Sequence, residues 1–178
     1  MHINSLRVFC YIDNFEKTLI NKLSKTTSVI YRNYNEKLNI YEIIKIRNAC
    51  NKRNIKFYLS NDIKLAIKLG LDGAYIPSFN KKMNLNSYNF KKKFELLGSA
   101  HNIKEIRLKE LQNVDYIFLS PLFPSQKNKR GLGIYRFHNL MKKTKKKIVC
   151  LGGLTNKNLK KIKLLKCIGM ASISLFHK

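Results

Sequence analysis

The stretch Lys147–Asn158, KIVCLGGLTNKN, decides how the chain is read. Its apolar run Ile148–Leu151 stops at Gly152–Gly153, and Thr155 then opens a helical pattern. A strand, paired glycines and a helix cap make a loop whose backbone amides can face an anion. Shortly after, Gly169–Phe176 (GMASISLF) has the pattern of another strand. In a (β/α)8 barrel the loops after strands seven and eight commonly form the phosphate site. The two segments are therefore expected to be those strands, with the rest of the chain bringing other loops towards them. The plain alternative is a tight turn that binds nothing.

Upstream, short apolar runs alternate with helical patterns. The expected strands are Arg7–Ile12, Ser28–Arg32, Lys56–Leu59, Gly73–Ile76, Phe94–Gly98 and Tyr116–Leu119. Helical patterns cover Phe15–Leu23, Ile40–Arg53, a segment through Leu69 that Ser60–Asn61–Asp62 can cap, and Asn102 to Leu111. Lys81–Lys93 gives the weakest helical pattern, and Ser120–Tyr135 reads as a long loop. Continuous apolar strands alternating with helices argue for a parallel sheet buried on both faces. Eight such units fit a closed (β/α)8 TIM barrel better than an open doubly wound sheet.

Residues 1–178 are expected to form one barrel domain, compact beside the usual barrel of about 250 residues. Strand eight finishes near Phe176 and the sequence stops at Lys178, so the final helix is expected to be lacking. Alternate residues of strand eight, either Ala171, Ile173 and Leu175 or Met170 and Phe176, must then point outward. A strip of that kind expects a covering surface, most simply a second copy in a homodimer, otherwise Met1–Leu6 folded across it.

Composition sets the remaining bounds. The chain carries 36 Lys+Arg against 10 Asp+Glu, a formal charge of +26. Such a balance points to nucleic acid, a membrane surface or an acidic substrate. The basic residues are spread through nearly every segment, with dense runs only at Lys91–Lys93 and Lys142–Lys147. No nucleic-acid-binding motif accompanies them, so Lys is read as filling solvated faces and a nucleic-acid partner as the less supported alternative. Cys10, Cys50, Cys150 and Cys167 lie far apart with no C-x-x-C spacing. That argues against a disulfide framework or zinc site and for a cytoplasmic location. No signal peptide precedes Arg7, and no apolar run is long enough to cross a bilayer.

Active sites of these barrels sit at the C-terminal ends of the strands. The residues there are Arg32 and Asn33, Asn61 and Asp62, Pro77–Asn80, Ser99 and His101, Pro121–Gly133, Gly152–Gly153 and Ser174. A guanidinium, a carboxylate, carboxamides, hydroxyls and a basic loop suit an anionic substrate held with a divalent cation. There is no carboxylate pair for acid–base work and no Ser-His-Asp or Cys-His order. Asp62 and His101 can equally serve as helix caps.

The ordered set VIYRN, LSND, GLDGAYI, GSAHN, DYIFLSPLFPS, VCLGGL and GMASIS resembles the thiamine phosphate synthase/TenI family across nearly the whole chain. The resemblance implies a (β/α)8 barrel that joins an aminopyrimidine diphosphate to a thiazole phosphate with Mg2+ and releases pyrophosphate. By the same resemblance Arg32 contacts the pyrophosphate and Asn61–Asp62 match an Asn-Asp pair, with Asp62 a Mg2+ ligand. Ser99 lies near the pyrophosphate, Ser125 matches a threonine on the thiazole phosphate, and Gly152, Gly153 and Ser174 match the phosphate cup.

The chain departs from that pattern in places. Tyr34 stands where the synthase has a lysine, and Asn80 where it has a second metal-binding Asp. The loop lysine is displaced, with Lys127 one place early and Lys129 one place late, and Pro121 stands where the thiazole tautomerase has a His. Three readings follow: a synthase-type transferase with Arg32 and Lys127 as catalytic groups and Asp62 and Asn80 at the metal; a TenI-like protein that binds a phosphorylated thiamine precursor without synthase chemistry; and a basic nucleic-acid-binding barrel.

Overall fold

A computed structural model of the chain describes residues 6–34, 38–125, 129–172 and 175–176. The strands are β1 (Arg7–Ile12), β2 (Thr27–Tyr31), β3 (Phe57–Ser60), β4 (Gly73–Ile76), β5 (Glu95–Ala100), β6 (Tyr116–Leu119), β7 (Lys147–Leu151) and β8 (Gly169–Ser172). Each pairs in parallel with its neighbours, and β8 pairs with β1, closing a barrel in chain order. The helices between them are α1 (Lys17–Lys22), α2 (Ile40–Lys52), α3 (Ile63–Lys68), α4 (Ile103–Leu111), α5 (Gly133–Met141) and α6 (Leu159–Ile162). Between β4 and β5 the chain makes only a 3-10 turn, Asn84–Ser87, so the weakest helical pattern is not a helix.

Side-chain alternation along the strands divides the core into two layers. Inside the barrel lie Phe9, Tyr11, Ile30, Tyr58, Tyr75, Leu97, Phe118, Val149 and Ala171. Their rings meet edge to face, Phe9 on Phe118 at 4.9 Å and Tyr75 on Phe118 at 5.4 Å between centroids, a favoured geometry for aromatic pairs. The outward-facing residues of the same strands, such as Cys10, Ile12, Val29 and Leu59, pack against the helices. All four cysteines are free and buried.

The helix ends follow local chemistry. Asn39 Oδ1 accepts from the Glu42 amide at 3.3 Å and caps α2. Asn102, not His101, caps α4: its Oδ1 accepts from the Glu105 amide at 3.0 Å, while Glu105 reaches back to the His101 amide at 2.8 Å. That exchange is a capping box displaced by one residue. After the paired glycines the helix starts later than Thr155, because Asn158 Oδ1 takes the Thr155 amide at 2.9 Å in a turn. Only Leu159–Ile162 are helical.

Ala171 faces the barrel interior, whereas Met170, Leu175 and Phe176 pack part-buried against the outer layer. No helix follows β8 among the described residues, and Ile173 and Met1–Ser5 lie outside them.

Candidate functional site

The C-terminal rim begins with Arg32, just past β2, whose guanidinium lies 4.8 Å above the Tyr11 ring and 6.0 Å from that of Tyr34. An interior aromatic floor thus supports the cation while leaving it half-exposed at the mouth. Tyr34 is tied to Ser60, at the end of β3, by a 2.7 Å hydroxyl–hydroxyl bond. Burial pushes its phenol up to about 12, with the Ser60 bond pulling the other way. Its ring meets Phe79 edge to face at 5.3 Å, and both rings remain exposed on the lip. Ser99 is buried near the end of β5, and the Tyr75 ring meets that of Tyr11 edge to face at 5.6 Å. Burial raises the Tyr75 phenol, opposed by its neighbours Ser99 and Tyr11 and by the Arg32 charge.

Next along the rim, β3 and β4 bring Asn61, Asp62 and Asn80 onto a cleft of about 490 Å3 that also holds Lys64, Lys81 and Lys82. Asn61 adopts φ +64°, a left-handed conformation that Asn tolerates. Asp62 caps α3, its Oδ1 accepting from the Leu65 amide at 2.9 Å. The capping role read from the sequence is therefore present, and a carboxylate still borders the cleft. Asn80 Nδ2 donates to Asn61 Oδ1 at 2.8 Å, and Asn80 Oδ1 accepts from the Lys82 amide at 3.0 Å. Among the described residues no group of three or more His, Cys, Asp or Glu side chains is placed to hold a metal. Among the described residues the cleft lining offers one carboxylate, Asp62, and the carboxamides of Asn61, Asn80 and Asn84. Such a set suits Mg2+ only in company with water and the oxygens of a bound phosphate.

The third part of the rim is the glycine pair. Gly152 and Gly153 take φ +94° and +65°, which favours glycine. The loop after β6 lies directly on them, with the Leu122 amide on Leu151 O at 2.8 Å and the Phe123 amide on Gly152 O at 3.1 Å. A Cβ at Gly153 would fall 2.3 Å from Phe123 O and 2.4 Å from Pro124 O. These glycines therefore let two backbone loops touch. Ser125 follows Pro124 on that loop, half-buried. Lys127 and Ser174 lie outside the described residues.

Sequence reasoning passed over Tyr11 and Tyr75 as site residues, since they look like ordinary strand residues, and took Ser60 only for part of a helix cap. It also passed over Lys109, a lysine on a helix pattern with nothing local to mark it as buried.

The chain is thus a (β/α)8 barrel that gathers a guanidinium, a carboxylate, carboxamides and a paired-glycine loop where such barrels keep their active sites. A family model described as Thiamine monophosphate synthase matches residues 10–176, and the chain belongs to that family. The thiamine-phosphate synthase of Lactococcus lactis subsp. cremoris is 23% identical over 149 residues, covering 82% of this chain and 67% of that protein. That of Bacillus cereus is 28% identical over 123 residues, covering 64% and 53%. The chain therefore spans between about half and two thirds of the length of these curated relatives. Among solved structures, thiamine phosphate pyrophosphorylase from Pyrococcus furiosus superposes with a TM-score of 0.79 at 18% identity, over 96% of this chain and 87% of that one. At that identity the likeness speaks for the fold.

Proposed function

We propose that the chain is a thiamine phosphate synthase, joining hydroxymethylpyrimidine diphosphate to a thiazole phosphate. The observation that carries this reading is the match over residues 10–176 together with Arg32, Asn61, Asp62 and Ser99 on one rim. Departure of pyrophosphate from an electron-rich pyrimidine demands charge stabilisation more than a protein base. Arg32, held over Tyr11, is placed to meet the developing charge, and Ser99 stands behind it on Tyr75. Lys127, on the loop after β6, is assigned to the same task. Mg2+ would be held by Asp62 with Asn80 beside it, and when bound it would supply further neutralisation of the leaving oxygens. Gly152, Gly153, Ser125 and Ser174 are assigned to the thiazole phosphate.

The buried free thiols suit a cytoplasmic enzyme, and no described helix is long and apolar enough to cross a membrane. Incubation with both substrates and Mg2+ tests the reading: thiamine phosphate is expected as product.

One observation favours a second reading. Asn80 supplies no charge and its carbonyl oxygen is already engaged by Lys82, which fits a TenI-like protein that binds a phosphorylated ligand without synthase turnover. Tight thiazole phosphate binding with no product in the same incubation would select it.

A further inference from the structure

Helix α4 buries two polar side chains in the layer where apolar residues would pack. Lys109 and Gln112 are both fully buried. The stem of Lys109 passes over β5 at Gly98, where a Cβ would come 2.9 Å from Lys109 Cδ. Its ammonium then reaches the loop after β4. Nζ donates to Pro77 O at 2.8 Å, to Asn80 O at 3.1 Å and to Gln112 Oε1 at 2.7 Å. Gln112 Nε2 donates to Asn80 O at 2.9 Å and to Lys82 O at 2.8 Å.

An ammonium has three protons to give and a carboxamide two, so all five donors are used. Four of the five bonds end on the backbone of residues 77–82. This is the connection that has a 3-10 turn where the others have a helix, so its carbonyls need partners from elsewhere. The acceptors around Nζ are neutral. Burial pulls the Lys109 ammonium down to about 8, against the opposing charge of Glu105 one turn earlier. A buried cation with neutral acceptors is costly, and an apolar residue would fill the helix–strand layer without that cost. What the pair secures is the path of one loop, the loop that presents Phe79 and Asn80 to the cleft beside Asn61 and Asp62.

We infer that Lys109 and Gln112 are positioning residues, which hold the Pro77–Lys82 backbone from beneath and so set the wall of the cleft that receives the pyrophosphate end of the substrate. The inference rests on the synthase reading for the identity of that ligand. Neither residue faces the cleft, so both act through Asn80 and Phe79.

The test uses the full chain and inorganic pyrophosphate with Mg2+ as the probe, beside the two substrates. Gln112→Glu keeps an acceptor for Lys109 and removes both donors to the loop; Gln112→Leu and Lys109→Met remove more. The expected result for Gln112→Glu is an unchanged circular dichroism spectrum with faster hydrogen exchange confined to the amides of residues 78–85. Pyrophosphate affinity should fall about tenfold, the scale at which supporting residues usually act on a site, and KM for the pyrimidine diphosphate should rise with it. Affinity for thiazole phosphate, on the far side of the rim, should not move. Equal losses for both ligands tracking a lower Tm would mean a purely structural pair and overturn the inference. So would unchanged exchange and unchanged pyrophosphate affinity. Should Lys109→Met fail to fold, the Gln112 variants decide alone. A wild-type protein that makes no thiamine phosphate overturns the synthase reading instead, and exchange in residues 78–85 still judges the pair.

Discussion

Asn80 and Asn61 face each other across the ends of β4 and β3, Nδ2 of the first donating to Oδ1 of the second at 2.8 Å. The bond joins two uncharged carboxamides where the family resemblance places a second metal-binding carboxylate. Among the described residues that line the cleft Asp62 is the one carboxylate, and its Oδ1 is spent on the α3 cap.

The consequence is a metal requirement that depends on the ligand. Mg2+ should bind the wild-type protein measurably only when pyrophosphate is present, since one carboxylate and water leave octahedral Mg2+ loosely held. Asn80→Asp adds a charge beside Asp62 and should raise Mg2+ affinity about tenfold, as added ligand charge does at oxygen sites. Calorimetric titration of Mg2+ into both proteins, with and without pyrophosphate, checks this. If metal affinity and activity both stay flat, Asn80 does not face the metal.

Gly153 and Gly70 make a controlled pair. Both hold left-handed φ, +65° and +63°, but a Cβ at Gly70 meets nothing within 4 Å, while one at Gly153 meets two backbone carbonyls. Gly70→Ala should therefore cost about 1 kcal/mol for the backbone conformation alone. Gly153→Ala should cost about 2–3 kcal/mol, because local strain of this kind is added to the displaced loop. It should also weaken thiazole phosphate binding, which Gly70→Ala should leave alone. Urea denaturation and a binding titration on both variants make the comparison. Equal stability losses would mean that the loop after β6 yields freely.

The barrel was legible in the sequence because each strand is short, apolar and followed by a break. For the first seven strands the expected and observed ranges agree to within a residue or two, as for Ser28–Arg32 against Thr27–Tyr31. The eighth, expected over Gly169–Phe176, is described as a strand over Gly169–Ser172, with a turn at 175–176. The Asp62 cap was legible because a cap is a contact across three residues. Lys109 was not, since the sequence around it, IKEIRLKEL, has the look of a solvated helix. Its burial is decided by a loop some thirty residues earlier folding over it. The rim aromatics were hidden for a similar reason. Tyr11 and Tyr75 sit in apolar strand patterns, and only closure of the barrel turns them into the floor beneath Arg32.

At the opposite, N-terminal end of the barrel Glu95 links stability to acid pH. Glu95 takes two bonds from Arg7, at 3.0 and 2.9 Å, and others from Lys56, Tyr58 and Tyr116. Burial alone would raise its pKa, but the bonds from Arg7 and Tyr58 and the charges of Arg7 and Lys56 outweigh it and hold the group at about 2. A depressed carboxylate contributes stability that is whole above its unfolded pKa and is lost as pH falls through the folded one. The window is thus from about 4.5 down to about 2, and the contribution is about 3 kcal/mol by linkage. Glu95→Gln should lose that much at pH 7 and lack this part of the acid dependence. Repulsion from the high positive charge acts on both proteins, so their difference isolates the network. Identical denaturation profiles between pH 5 and pH 2 would show that Glu95 is not held as described.

The barrel closes along a seam where β8 meets β1. Val8 pairs with Met170 in the register of the closing strands. Their neighbours Phe9 and Ala171 point into the barrel, so Val8 and Met170 both point outward. Both are only part-buried, and among the described residues no helix follows β8 to cover them. A second copy of the chain related by a two-fold axis would bury Val8 and Met170 against their symmetry mates, as an isologous contact requires. The expected result is a dimer by light scattering at micromolar concentration, converted to a folded monomer by Met170→Lys. If residues 1–6 cover the seam instead, the protein should be monomeric and their deletion should lower Tm. A monomer that loses those residues with no change in Tm would exclude both arrangements, leaving Val8 and Met170 as a half-exposed seam that the fold simply tolerates.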